Sequence, residues 1–187
     1  MKKEKRELIL DGTSYFAEVE IIEKSDKNNL IKMYSLWNEL SSILSKYGCR
    51  RLNFPEISEL IFCYVYDCWR VNNVPQIKHS SFDCYNPKTH SRIQIKATSV
   101  ADDLTSFGPR SIWDELYFMD FFPNGKYDGC FDIYLIPNES VYNYPVRSDE
   151  TFRDQQKRGV RPRFHIKTGL IKPLKIKPIG QYNLFEL

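Results

Sequence analysis

The segment SSFDCYNPKTHSRIQIKATSV, from Ser80 to Val100, limits the fold more than any other part of this chain. Two short strand-like runs, 80–84 and 91–98, flank the turn-forming Asn86-Pro87-Lys88-Thr89. On the second run, period-two alternation sends Ile93, Ile95 and Ala97 to one face and Gln94 and Lys96 to the other. The apolar face must pack into a core, and the polar face then gathers Asp83, Gln94 and Lys96 at one edge of a sheet. A surface position for Gln94 and Lys96, with Asp83 as a turn former, fits the same pattern.

The flanking chain supplies what such a sheet can pack against. Residues 6–10 and 14–22 alternate around Asp11-Gly12 and read as a hairpin. Residues 27–47 read as a helix, with Leu30, Met33, Trp37, Leu40, Ile43 and Leu44 near a 3.6-residue period and Gly48 as its stop. A second helix is expected over 54–71, with a buried stripe of Ile57, Leu60, Ile61, Tyr64, Val65 and Cys68. Strands are expected at 115–121 and 130–136 around Pro123-Asn124-Gly125. A short helix is expected over 148–158 with Ser148 as N-cap and Gly159 as stop, then a last strand at 163–168 and an extended tail. No repeat or domain boundary is visible, so 1–187 reads as one α/β (α+β) domain with a central mixed sheet flanked by helices.

Composition narrows the function. No apolar run approaches the roughly 20 residues of a membrane span, and the basic N-terminus leads into a charged strand, so a cytoplasmic protein with no membrane partner is expected. The five cysteines are odd in number and irregularly spaced, and they form no zinc-type cluster with His79, His90 or His165. Free thiols are expected, and neither zinc nor a nucleotide cofactor. The net charge of +3 is unevenly spread: from Phe152 onward there are nine Lys/Arg against two acids, leaving 18 basic and 22 acidic residues elsewhere. A basic part at about 150–180 suits a polyanion, although a solvated basic tail has the same composition.

A carboxylate, an amide oxygen and a lysine at one sheet edge can hold Mg²⁺ with a cation beside it, which suits phosphodiester hydrolysis. Asp83 is the strongest candidate ligand. The second helix opens Asn53-Phe54-Pro55-Glu56-Ile57-Ser58-Glu59. Asn53 and Glu56 fit a capping box. Glu59 has no such structural role and could hold a metal-bound water, while Glu56 lies nearer the edge of the apolar stripe. The choice between them stays open.

A helix glutamate, an acid, and (Asp/Glu/Gln)-x-Lys on the adjoining strand resemble the PD-(D/E)XK nuclease superfamily. TSFGPRSIWDELYFMDF from Thr105 to Phe121 and DQQKRGVRPRF from Asp154 to Phe164 extend the resemblance, over roughly residues 50–170, to type II restriction endonucleases. Phe82 stands where the motif has proline, and Gln94 replaces the usual acid, which removes one negative charge unless Glu59 compensates. The resemblance implies that Asp83, Gln94 and the Ile95 carbonyl hold Mg²⁺, with Glu59 (or alternatively Glu56) assisting. It implies that Lys96 orients the attacking water and that the ends are 5′-phosphate and 3′-hydroxyl.

Sequence-specific cleavage needs base-reading side chains. Gln155, Gln156, Lys157, Arg158, Arg161 and Arg163 crowd around Gly159 and Pro162, and arginine and glutamine pair bidentately with guanine and adenine. Lys167, Lys172, Lys175 and Lys177 suit phosphates. Thr105, Ser106 and Arg110, in the loop after the Gln94–Lys96 strand, form a second contact candidate. Cutting both strands of double-stranded DNA needs two centres, so a homodimer is expected, with the 27–47 helix serving either core or seam. A structure-selective repair or junction nuclease and a catalytically inactive DNA-binding module are the competing readings.

Overall fold

Asp11 and Gly12 both take positive φ, 51° and 76°. That geometry follows the natural strand twist and folds β1 (Lys2–Leu10) back onto β2 (Thr13–Ile21). The computed structural model describes residues 1–54, 56–77 and 81–187. Helix α1 (Lys27–Lys46) follows and stops near Gly48, whose φ is +74°. Its packed side is Leu30, Tyr34, Trp37 and Ser41, whereas Met33, Leu40 and Ile43, expected in the buried stripe, face outward.

Helix α2 (Ile57–Tyr66) is shorter than expected at both ends. Asp67 takes a left-handed conformation and closes it, and Trp69–Val71 forms β3 against β2. Aromatic and β-branched side chains there gain more from a sheet than from another helical turn. The expected Asn53–Glu56 capping box does not form. Glu56 occupies the N-cap position without a side-chain cap, and its carboxylate pairs with Arg70 instead.

The remaining elements are β4 (Cys84–Asn86), β5 (Ser91–Thr98), β6 (Thr105–Ser106), β7 (Glu115–Asp120), β8 (Cys130–Ile136), α3 (Asn138–Tyr142), β9 (Pro145–Arg147), β10 (Glu150–Thr151), α4 (Phe152–Lys157), β11 (Arg163–Phe164), α5 (Lys172–Leu174) and β12 (Gly180–Asn183). Eight strands form one mixed sheet in the order β1-β2-β3-β4-β5-β7-β8-β12. Neighbours are antiparallel except β5 and β7, which run parallel. Of the first strand-like run, Ser80 lies outside the described residues. Ladder bonding starts with the Asp83 N–H, which donates to Ile93 O at 2.9 Å.

One core lies between α1, α2 and the sheet, with Trp37, Ile61, Phe62, Ile93, Ile95 and Met119 at its centre. A second covers the opposite face of β7, where Leu116 and Phe118 meet Phe107, Trp113, Phe152 and Phe164. The run ELYFMD is apolar on both faces because both faces of that strand are covered. A third cluster, including Leu8, Val19, Val71 and Tyr85, packs under the N-terminal strands. All five cysteines are free. Among the described residues no helix is long and apolar enough to cross a membrane.

The C-terminal third departs most from expectation. The helix expected at 148–158 begins only at Phe152, capped by Thr151. The Thr151 hydroxyl accepts from the Asp154 N–H while the Asp154 carboxylate accepts from the Thr151 N–H. Ser148 lies instead in the β9–β10 connection. The strand expected at 163–168 is two residues long and turns into a π-helical stretch, Lys167–Ile171. Asp103 sets that point by accepting from the Ile166 and Lys167 N–H groups at 2.8 and 3.1 Å. The expected extended tail is α5 followed by β12, which pairs with β8.

Candidate active site

Asp83 enters the sheet ladder just before β4 and turns its carboxylate onto β5. Its Oδ2 accepts from the Ile95 N–H at 2.7 Å and from the Gln94 amide. Gln94 is buried, not a surface residue, and its Nε2 also lies 3.5 Å from the Ile95 carbonyl oxygen. Asp83, the Gln94 amide and the Ile95 carbonyl, three of the expected oxygen donors, are therefore adjacent. Burial pushes the Asp83 carboxyl up, against the opposing effects of Lys96, the Ile95 N–H, Arg70 and Gln94.

Glu59, on the first turn of α2, supplies a second carboxylate. Its side chain is 18% exposed, against 80% for Glu56, so the two glutamates left open by the sequence differ sharply in environment. Burial first, and then the Asp83 charge, push Glu59 up to about 7, with Arg70 opposing. Arg70, on β3, carries no sequence signal of its role, because it falls within the helix expected over 54–71. Its guanidinium donates to Glu59 at 2.7 Å, Glu56 at 2.6 Å and the buried Glu20 of β2 at 3.0 Å. Arg70 thus fixes Glu59 against the end of the sheet.

Lys96 shares the Gln94 face of β5, with Nζ 5.3 Å from the centroid of the Phe107 ring. Burial pushes its ammonium down, while the charges of Asp83 and Glu59 hold it up. Arg161 adds to the lowering, which places the basic C-terminal loop within electrostatic reach of Lys96. Among the described residues no three His, Cys, Asp or Glu side chains converge. The donor set is two carboxylates with one carbonyl and one amide oxygen. Burial raises both carboxyls and the Asp83 charge raises Glu59 further, which suits a hard cation, whose charge would lower both. The Gln94 amide would have to turn its oxygen toward such an ion, since its nitrogen now faces Asp83.

Beside Lys96 opens a cavity of about 420 Å³, lined in part by Arg51, Asn53, Thr98, Ser99, Asp103 and Ser106. A second cavity of about 470 Å³ lies between Ser81, the Gly108–Ser111 turn, Gly159 and Arg161, and Arg110 lines it too. The expected DNA contacts divide accordingly. Lys157, Arg161 and Arg163 are exposed. Arg158 pairs with Glu150 at 2.6 Å while staying 58% exposed. Gln155 is buried and donates to Glu150 at 3.0 Å, and Gln156 points toward the Gly108 and Ser111 carbonyls at 3.4 Å. Thr105 is buried with its hydroxyl on Asp103, whereas the Ser106 hydroxyl has no hydrogen-bond partner among the described residues.

Comparison with known proteins gives the chain its class. The family model described as Bsp6I restriction endonuclease matches residues 22–173. The type II restriction enzyme Bsp6I of Bacillus sp. (strain RFL6) is 33% identical over 169 residues, which cover 87% of this chain and 91% of that enzyme. No solved structure matches. The chain is a type II restriction endonuclease, a site-specific deoxyribonuclease. Within that class it belongs to the Bsp6I restriction endonuclease family.

Proposed function

We propose that this enzyme hydrolyses both strands of a specific double-stranded DNA site with Mg²⁺, through a PD-(D/E)XK-type centre. The observation that supports this most is the grouping of two raised carboxylates, Asp83 and Glu59, with the lowered Lys96 around one amide and one carbonyl oxygen. Asp83, Glu59, the Gln94 side-chain oxygen and the Ile95 carbonyl would hold the ion. Bound there, Mg²⁺ would acidify a water and neutralise charge at the scissile phosphate.

The protein's own residues do the rest. Lys96 donates to the attacking water and to the phosphoryl oxygen that gains charge, positioned by its β5 backbone and by Asp83. Arg70 favours the ionised form of Glu59 against burial and aims it, with Glu20 keeping the guanidinium in place. In-line attack with loss of the 3′-oxygen leaves 5′-phosphate and 3′-hydroxyl ends. Arg110 and Arg161, in the cavity beside the Gly108–Ser111 turn, take base edges or backbone together with Arg163 and Gln156, and the basic 150–180 part of a single endonuclease domain seats the phosphates. A homodimer supplies the second centre.

The test is digestion of a long duplex by wild type and Lys96→Ala, in Mg²⁺ or EDTA. Discrete fragments from wild type in Mg²⁺ alone, with Lys96→Ala slower by ~10²–10³-fold or more and still shifting duplex in a gel, are expected. Cleavage by Lys96→Ala at the wild-type rate, or by wild type in EDTA, overturns the assignment.

A further inference from the structure

Helix α1 carries two apolar lines. Leu30, Tyr34 and Trp37 are spent on the core. Met33, Leu36, Leu40 and Ile43, with Tyr47 at the C-cap, follow one another at steps of three and four and are 39, 54, 49, 44 and 82% exposed. That spacing is the seam of a two-helix coiled coil, about 21 Å long for five such positions. Monomeric proteins rarely leave a contiguous apolar strip of this size in water. Beside it an open groove of about 700 Å³ is lined by Met33, Leu36, Ile57 and Leu60, with Glu56 and Arg70 among its walls. A specific interface takes up ~800 Å² per partner, so the pairing would engage the groove and its polar margins as well as the strip.

We propose that this face of α1 is the seam at which two copies of the chain pair, antiparallel, across a two-fold axis. The inference rests on the homodimer of the preceding reading and names its surface. An isologous contact must be complementary to itself, and this one is. With the axis between Ser41 and Ser42, Leu40 meets Ile43 of the second copy and Leu36 meets Tyr47. In that register Glu39 faces Lys46 of the second copy, twice. Both charges are exposed, and among the described residues neither makes an ion pair. The groove brings the seam to Arg70, the same guanidinium that holds Glu59, so each centre lies against the dimer contact.

Sedimentation equilibrium over a wide concentration range tests this with wild type, Leu40→Glu and Leu36→Glu, positions whose exposure leaves the fold intact by circular dichroism. A wild-type dimer whose dissociation constant rises at least ~100-fold in both variants is the expected result. Glu39→Lys or Lys46→Glu alone should weaken the dimer several-fold, and the two together should restore it. A dimer that ignores Leu40→Glu and Leu36→Glu overturns the seam while leaving the homodimer standing. A wild-type protein that is monomeric at every concentration overturns both.

Discussion

Glu59 is the residue at which stability and chemistry conflict. Its carboxyl is raised from 4.5 to about 7 in the folded chain by burial and by the Asp83 charge. A folded state that holds a proton more tightly than the unfolded chain is favoured below the unfolded value, and that contribution is lost as pH rises through about 7. Glu59→Gln should therefore gain stability relative to wild type between pH 4.5 and 8, read as the difference in urea midpoints. An identical difference at both ends of the window would mean that Glu59 carries no buried charge. Mg²⁺ should act in the opposite sense, raising the melting temperature of wild type at pH 8 and leaving Asp83→Asn unmoved. Arg70→Met removes the cation that three carboxylates share, and unfolding should become easier by ~2 kcal/mol or more, because Glu20 and Glu59 are largely buried.

Among the elements, the β6–β11 pair and the π-helical stretch hang on one carboxylate. Asp103 accepts from Thr105 Oγ1 and from two backbone N–H groups. Asp103→Ala leaves those donors buried and should cost about 3 kcal/mol in a urea titration. At α1, Leu40→Glu should let nicked circles accumulate during plasmid digestion, because separated copies cut the strands in separate encounters. The hairpin, α1, β5, β7 and β8 were legible in the sequence because period and turn residues agreed there. So was the adjacency of Asp83, Gln94 and Ile95, which needs only one antiparallel turn. Arg70 was not legible, since Trp69 and Val71 continue a helical apolar pattern and only pairing with β2 turns them into strand. The two faces of α1 were also hidden. Leu30 and Trp37 differ from Met33 and Leu40 only in what packs above them, which a one-dimensional pattern does not contain. The hydroxyl of Thr105 and the amide of Gln155 resemble base readers in sequence for the same reason, whereas Asp103 and Glu150 hold them in the fold.

For the molecule as a whole, the uneven charge seen in the sequence becomes a directional field, with Arg161 felt at Lys96 itself. DNA affinity should fall steeply with salt, and Arg161→Ala and Lys172→Ala should each lower the log–log salt slope by about one if each binds a phosphate. Loss of site preference on top of the slope change would mark Arg161 as a base reader. The sheet order has a kinetic consequence as well. Strands β3, β4 and β5 lie side by side in the order in which they occur in the chain, so Arg70, Asp83, Gln94 and Lys96 are brought together by pairings between sequence neighbours. Short closures of this kind form quickly and open together. The amides of β3, β4 and β5 should then exchange with deuterium as one block, and the centre should exist as a unit before the parallel β5–β7 crossover closes over it.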